Sequence, residues 1–162
     1  MISHPFAPVF DGASSLLILG SFPSVRSRAA MFYYGHPRNR FWRVLGGVYG
    51  ESPPVTVQEK TAFLYARHVA LWDVVSSCDI TGSADSSIKN VVPNDIVSLL
   101  AHTRITRVFV NGRTAETLYD AYLLPLGAPK AVYLPSTSPA NAAWDCDRLI
   151  AAWRKALSED GA

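Results

Sequence analysis

The stretch that decides the fold is Leu16-Leu17-Ile18-Leu19-Gly20-Ser21-Phe22-Pro23-Ser24. Its first four residues are apolar, which is typical of a strand buried inside a sheet. The glycine and proline that follow predict a turn at the end of this strand. In a parallel α/β sheet, ligands bind outside the carboxyl ends of the strands, where loops usually carry function. We therefore expect residues 20–24 to border a binding crevice.

Further apolar runs follow along the chain, separated by segments with helical spacing. The other runs cover residues 69–75, 107–110 and 131–134. The segments with helical spacing cover residues 39–49, 56–68, 96–100, 113–122 and 149–157. Strands that alternate with helices form right-handed βαβ units. The pattern predicts an α/β fold, a three-layer α/β/α sandwich around a central, mostly parallel four-stranded sheet. Residues 1–162 fit one domain, in which residues 76–93 are the long irregular stretch.

The bulk composition narrows the classes of function. The formal net charge is only +2, so affinity for nucleic acid has to come from a local basic patch. Two cysteines without nearby histidines offer no ligand set for zinc or an iron–sulfur cluster, and we expect neither metal nor cofactor. No apolar run approaches the roughly 20 residues that span a bilayer. We expect a cytoplasmic monomer without a membrane partner, associated with the nucleoid if the source is prokaryotic.

The turn at residues 20–24 is the first of three clusters whose groups could bind a ligand or take part in a reaction. Its backbone N–H groups could face a ligand in the crevice. It lacks the glycine-lysine-hydroxyl ending of a phosphate loop and the three glycines of a dinucleotide site, which argues against nucleoside triphosphate and nicotinamide chemistry. Taken alone, these residues also fit an ordinary strand-ending turn.

The second cluster is Tyr34-Gly35-His36-Pro37-Arg38-Asn39-Arg40-Phe41-Trp42. Two arginines flank an amide, an arrangement that suits phosphate binding around a group that reads a base. The Asn39 side chain can both donate and accept, so it can hold a water molecule, pair with a base edge or cap a helix. His36 fits a capping or packed histidine as well as a binding one.

The third cluster is Pro135-Ser136-Thr137-Ser138-Pro139-Ala140-Asn141, which follows the fourth predicted strand. Ser138 is a candidate N-cap, with Pro139 in the first helical position. N–H groups and hydroxyls would then converge where an anion is stabilised. The cluster predicts either a phosphate clamp or simply the start of a helix.

Together the three clusters resemble the uracil-DNA glycosylase superfamily. Gly-Ser-Phe-Pro-Ser, Tyr-Tyr-Gly-His-Pro-x-Asn-Arg-Phe-Trp and Pro-Ser-Thr-Ser-Pro-Ala-Asn are similar to the motifs of its hypoxanthine-DNA glycosylase branch, family six. The match runs in order from Gly20 to Asn141, with Leu71-Trp72-Asp73-Val74-Val75 and Phe109-Val110-Asn111-Gly112 between. The resemblance implies an enzyme that flips a deaminated base out of double-stranded DNA, hydrolyses its N-glycosidic bond and leaves an abasic site.

The resemblance also implies roles for single residues. Asn39 takes the catalytic, water-positioning role, because Phe22 stands where classical members carry an aspartate. Tyr34 is the expected stacking platform, with Phe22 as a second candidate. The residues expected around the base are Gly20, Ser21, Phe22, Pro23, Tyr34, His36 and Asn111. The residues expected on the DNA are Arg38, Arg40, Ser86, Lys89, Ser136, Thr137 and Ser138.

Hypoxanthine in deoxyinosine is the substrate that this resemblance favours. A uracil or mixed-specificity mismatch glycosylase is one alternative, and a catalytically idle nucleic-acid-binding module on the same fold is another. Release of free base from a lesion-bearing duplex separates the enzyme from the binding module. A Ser/His hydrolase is disfavoured, because the nucleophile elbow Gly-x-Ser-x-Gly is absent.

Overall fold

The computed structural model describes residues 1–158 of the chain. The strands in this part are β1 (Ile2–Ser3), β2 (Leu16–Gly20), β3 (Val69–Asp73), β4 (Val75–Asp79), β5 (Lys89–Pro93), β6 (Arg107–Asn111) and β7 (Val132–Leu134). The helices are α1 (Val25–Ala30), α2 (Phe41–Val48), α3 (Val57–Ala66), α4 (Ile96–Ala101), α5 (Arg113–Tyr122) and α6 (Cys146–Ser158). Single 3₁₀ turns lie at Asp85–Ser87 and Leu124–Leu126.

Four strands form the parallel sheet that the apolar runs predict. Their order is β3-β2-β6-β7, and every neighbouring pair is parallel. All five residues of β2 are buried, because this strand has a neighbour on each side and a helical layer on each face. The register pairs Gly20 with Asp73 and Asn111 with Leu134. The carboxyl ends of the strands therefore meet along one edge of the sheet.

Side chains from β2 alternate between the two faces of the sheet and enter two separate cores. Leu16 and Ile18 pack with buried residues of α2, α3 and α6. Leu17 and Leu19 pack on the other face, with buried residues of α4 and α5. Helices on both faces of a parallel sheet make a three-layer α/β/α sandwich, so the predicted fold class is confirmed.

A second, antiparallel sheet was not expected. Its order is β1-β4-β5, and it uses half of the stretch 76–93 that the sequence predicts as irregular, so for residues 76–79 and 89–93 that prediction is wrong. The predicted strand 69–75 is in fact divided at Val74 between the two sheets. The alternation was hard to recognise because β4 carries Ser76 and Ser77 at its centre and its pairing with β5 shifts register. Only the loop 80–88 between β4 and β5 lacks strand structure.

Local signals fixed most helix starts but misled at one. Thr56 and Glu59 form a complete capping box before α3, and Asp95 caps α4. The expected helix start at Ser138 is wrong, because residues 135–145 form turns and α6 begins at Cys146. Ser136 and Ser138 instead accept hydrogen bonds from N–H groups two residues ahead, as serines in turns do. None of the helices within residues 1–158 is long and apolar enough to cross a bilayer.

Candidate active site

A cavity of about 520 Å³ opens at the carboxyl edge of the parallel sheet. This volume lies within the usual range for sites that enclose a small molecule or a single base. Gly20, Asp73 and Asn111, the last residues of three adjacent strands, line it. The remaining lining residues come from residues 21–27, 33–39, 83–86 and 136–140. The fold thus joins the three sequence clusters around one space.

Most of the residues predicted from the sequence line this cavity. Asn39 does so together with every residue expected around the base: Gly20, Ser21, Phe22, Pro23, Tyr34, His36 and Asn111. Four of the residues expected on the DNA also line it: Ser86, Ser136, Thr137 and Ser138. Arg38, Arg40 and Lys89 do not. These last three side chains lie outside the space that would hold a base.

Four side chains from three segments form one hydrogen-bond network, which we call the amide wall: Tyr34, Asn39, Asn111 and Thr137. Thr137 is fully buried, and its backbone N–H donates to Asn111 Oδ1 over 3.1 Å. Asn111 Nδ2 donates to Thr137 Oγ1 over 3.1 Å and lies 3.4 Å from the Tyr34 hydroxyl oxygen. The Thr137 hydroxyl donates to Asn39 Oδ1 over 2.9 Å. These donors and acceptors fix the orientation of both amides.

The orientation of Asn39 decides which chemistry it offers. Its Oδ1 accepts from the Thr137 hydroxyl and from the backbone N–H of Phe41, each over 2.9 Å, so both lone pairs are used. Its Nδ2 donates to no group within residues 1–158. Every buried side-chain nitrogen and oxygen in this part of the chain has a partner, so the unpaired Nδ2 is not buried. It is therefore accessible from the cavity that Asn39 lines. Asn39 can donate a hydrogen bond to a ligand. Its use of Oδ1 speaks against the expected placing of a water molecule by that atom.

Tyr34 offers one ring face and one hydroxyl. The other face stacks on Phe41, with ring centroids 3.9 Å apart and planes 9° from parallel. Burial, and after it the charge of Asp73, raises the pKa of Tyr34, so the hydroxyl keeps its proton in neutral solution. Because Phe41 covers one face, a base could stack only on the opposite one. The expected role of Tyr34 as a stacking platform stays a prediction.

Gly20 lines the cavity, and two side-chain oxygens lie close to its Cα atom. A Cβ atom at this position would lie 2.5 Å from Asp73 Oδ1 and 3.0 Å from the Tyr34 hydroxyl oxygen. Both oxygens therefore occupy the space that a side chain would need. A glycine is required here by this close approach rather than by an unusual backbone angle.

Arg40 is used inside the protein. Its guanidinium group donates to the backbone carbonyls of Thr137, Ser138, Asn141 and Trp144. These bonds occupy most of its N–H donors and join the start of α2 to the turn that carries Thr137. The structure therefore speaks against Arg40 as a phosphate ligand and assigns it to bracing this turn. By contrast, Arg38 and Lys89 are exposed, and neither side chain bonds another described residue, so both stay predictions as DNA contacts.

A second group of side chains, which we call the carboxylate wall, consists of His4, Ser21, Asp73 and Asp85. Ser21, Asp73 and Asp85 line the cavity, His4 lies behind Asp73, and only Ser21 was predicted from the sequence. His4 Nε2 lies 2.7 Å from Asp73 Oδ2, and these side chains are only 4% and 5% exposed. Ser21 Oγ donates to Asp85 Oδ1 over 3.0 Å. The pKa of Asp85 is raised, mainly because its carboxyl group loses solvation, although part of the residue is open to solvent. The hydrogen bond from Ser21 lowers this pKa, and the negative charge of Asp73 raises it.

The loop 80–88 is fastened over the turn after β2. Ser83 Oγ accepts from the backbone N–H of Val25 over 2.9 Å, and the Gly82 carbonyl accepts from Arg28 over 2.7 Å. These bonds hold Asp85 beside Ser21. A polar loop is therefore part of the cavity wall, and its position gives Ser86 its place in the lining.

Comparison with known proteins agrees with this geometry. The model of the uracil DNA glycosylase superfamily matches residues 7–157. The chain belongs to this superfamily. It is 36% identical to a hypoxanthine DNA glycosylase of Methanosarcina acetivorans and 34% identical to one of Methanosarcina barkeri. Each alignment spans 143 residues and covers 87% of this chain and 89% of the relative.

The fold of the superfamily is also found in a solved structure. A solution NMR structure of a candidate uracil DNA glycosylase from Methanosarcina acetivorans superposes with a TM-score of 0.78 at 33% identity. The superposition covers 96% of this chain and 98% of that one. The resemblance drawn from the three sequence clusters is thus confirmed at the level of the superfamily.

Proposed function

We propose that this member of the superfamily is a monofunctional DNA glycosylase that excises a deaminated base, hypoxanthine above all, and leaves an abasic site. The observation that carries the proposal is the cavity at the strand ends, in which the amide wall presents an open Nδ2 donor at Asn39. A base stacked inside a duplex cannot reach such a space. The nucleotide has to rotate out, at a cost of a few kcal/mol that is smallest for a mispaired base. The names of both relatives support hypoxanthine as the base.

The reaction breaks the bond between C1′ of the deoxyribose and a base nitrogen. The bonding electrons move to the departing base and positive charge builds on the sugar. A water molecule supplies the hydroxyl at C1′, and its other proton neutralises the released base. A donor that is already oriented towards the base carbonyl stabilises the negative charge as it forms. Asn39 Nδ2 fits this role, and we place its contribution there rather than on the water. Tyr34 would support the flipped base from its open face.

Contacts to the DNA backbone would come from the rim of the cavity. Arg38 and Lys89 supply positive charge, and Ser86, Ser136 and Ser138 supply hydroxyl groups near the cavity mouth. Thr137 is buried in the amide wall and is better suited to positioning Asn39 than to touching a phosphate. We expect the protein to act as a monomer.

The deciding experiment is a panel of duplexes that carry hypoxanthine, xanthine, uracil or ethenocytosine at one position. Abasic sites are counted by strand cleavage in alkali, with an undamaged duplex as the control. We expect the fastest excision from the hypoxanthine duplex. Excision that is fastest from uracil would favour the mixed-specificity alternative. Lesion binding without release of any base would favour the idle binding module.

A further inference from the structure

One carboxylate oxygen in the cavity has no partner in the protein. Asp73 is only 4% exposed, and its Oδ2 is bonded to His4. Its Oδ1 accepts a hydrogen bond from no residue within 1–158. Every buried side-chain oxygen among these residues has a partner, so the unpaired Oδ1 is not fully buried. It is therefore open to the cavity that Asp73 lines. Keeping a carboxylate oxygen in a largely buried place without a donor is costly. A ligand that enters the cavity can supply that donor.

The contacts of His4 identify which of its ring nitrogens carries the proton. The backbone N–H of Phe6 lies 3.5 Å from Nδ1 and uses it as an acceptor. The proton of a neutral ring is then on Nε2, which donates it to Asp73 Oδ2. Phe6 packs edge-on against the His4 ring, with centroids 4.6 Å apart, and restricts its rotation. His4 therefore fixes the orientation of the carboxylate and leaves Oδ1 as a pure acceptor.

One donor lies close to this acceptor, and a second belongs to another residue that lines the same cavity. The Tyr34 hydroxyl and Asp73 Oδ1 flank the same point above Gly20. The Tyr34 hydroxyl donates to no group within the described residues, and Asn39 Nδ2 is open as well. The cavity thus offers one fixed acceptor beside open donors.

This pattern matches the edge that deamination creates on a base. Hypoxanthine, xanthine and uracil each carry a carbonyl oxygen next to a ring N–H, so that edge accepts at one atom and donates at the next. Adenine and cytosine carry an amino group next to a bare ring nitrogen, which reverses both roles. A carboxylate oxygen facing the ring nitrogen would bind hypoxanthine or uracil and repel the lone pair of adenine or cytosine. Guanine and thymine carry the same edge as the deaminated bases, so this contact separates hypoxanthine from adenine and uracil from cytosine.

We propose that His4 and Asp73 together select the ring N–H of a deaminated base, with Asp73 Oδ1 as its acceptor and His4 as the residue that positions the carboxylate. The inference rests on the proposed function and adds to it the group that reads the base. Asp73 determines specificity, and His4 acts only through Asp73.

The test measures binding rather than turnover. Duplexes carry the 2′-fluoroarabino form of either deoxyinosine or the unsubstituted purine deoxynucleoside. The fluorine disfavours positive charge on the sugar, so the base is retained at equilibrium. Purine has the same ring system as hypoxanthine but neither the carbonyl nor the N–H. The ratio of the two dissociation constants therefore reports how well the protein recognises this edge.

We expect the wild type to favour the inosine duplex over the purine duplex by roughly 10- to 100-fold, as one good base-reading pair can give. Asp73→Asn should reduce this preference to about threefold or less by weakening only the inosine complex. His4→Ala should also reduce it, whereas His4→Gln should largely restore it because the glutamine Nε2 can donate from nearly the same place. Asp120→Asn, the same change at an exposed position of α5, is the matched control and should keep the full preference.

Each other outcome has a defined meaning. Unchanged inosine affinity in Asp73→Asn with slow excision would place the carboxylate on the water or the sugar and overturn the inference. An equal loss for inosine and purine would mean that Asp73 only shapes the cavity, which also overturns it. If thermal melting shows that Asp73→Asn does not fold, the His4→Ala and His4→Gln pair decides by the same ratio. Failure of the wild type to excise any deaminated base would instead refute the proposed function.

Discussion

The two walls of the cavity hold polar groups in opposite ways. In the amide wall, Thr137 and Asn111 satisfy each other, and the open group is a neutral donor, the Nδ2 of Asn39. In the carboxylate wall, His4 satisfies one oxygen of Asp73, and the open group is an acceptor. A site that presents both an open donor and an open acceptor can recognise a base edge by its direction. We infer that the amide wall serves mainly chemistry, and that the carboxylate wall serves mainly choice of base.

Removing the open donor should have the largest effect. We expect Asn39→Ala to lower the single-turnover rate of hypoxanthine excision by about 100- to 1,000-fold, the usual effect of deleting one donor to a developing negative charge. Affinity for the lesion duplex should change much less, because the donor acts mainly in the transition state. Gln58→Ala removes an exposed amide from α3 and is the control. A near wild-type rate in Asn39→Ala would contradict the inference that the amide wall serves mainly chemistry.

A methyl group placed between the walls should come next. Gly20→Ala would put a Cβ atom 2.5 Å from Asp73 Oδ1 and displace the carboxylate. We expect excision to fall by about 100-fold, as small displacements in an active site often cause. The control is Gly12→Ala, where an added Cβ meets nothing within 4 Å. Equal rates for the two variants would show that Asp73 does not need its present position.

The next test compares two neighbouring arginines by two measurements. Arg40→Ala breaks the brace behind the amide wall and should destabilise the protein by about 2–3 kcal/mol, lowering Tm by roughly 5–10 °C. Arg38→Ala should leave Tm unchanged but flatten the dependence of DNA affinity on salt by about 0.9 in log–log slope, one phosphate contact. Binding titrations across a salt series and thermal melting measure both. The opposite assignment would follow if Arg40→Ala alone flattened the slope.

The smallest effect is expected when the Thr137 side chain in the amide wall is replaced by one of the same shape without the hydroxyl. Thr137→Val keeps the shape of a fully buried side chain but removes the hydroxyl that joins Asn111 to Asn39. The two amides lose a partner each, which should cost about 1–2 kcal/mol in urea unfolding. Excision should slow because Asn39 is less well oriented. Thr117→Val, on the exposed side of α5, is the control. A variant as active as wild type would mean that Asn39 is held mainly by Phe41.

The sequence predicted the amide wall better than the carboxylate wall, and the reason is physical. Asn39 and Thr137 lie in local motifs, and Asn111 ends an apolar run that reads plainly as a buried strand. Asp73 lies inside the apolar run 69–75, and an acidic residue within such a run is a signal for a functional side chain. His4 directly follows the two-residue strand β1 and lies 69 residues from Asp73, and nothing near it in the chain indicates the contact.

The fold shows the same limit. The parallel sheet was predictable because its strands are short runs buried on both faces. The antiparallel sheet was not, since β1 has two residues and β4 has serines where a clear alternation would have apolar side chains. The turn at residues 135–145 was misread as a helix start because a serine followed by a proline satisfies the capping rule without requiring a helix. Whether such a sequence forms a helix start or a turn depends on contacts with distant residues, such as those that Arg40 makes here.

The hydrogen bonds of Arg40 also determine when the site can form during synthesis on the ribosome. Arg40 bonds carbonyls that follow it by 97 to 104 residues, and Asn39 is separated from Thr137 by 98. Chains are made at about 5–20 residues per second, so the segment before α3 waits several seconds for the partners that orient its amide. Contacts of such high sequence separation form late in folding. A nascent chain that ends before residue 137 would hold most of the central sheet yet lack a finished catalytic centre. Competence to cut a glycosidic bond is thus acquired in one late step, and a truncated translation product should be inert towards DNA bases.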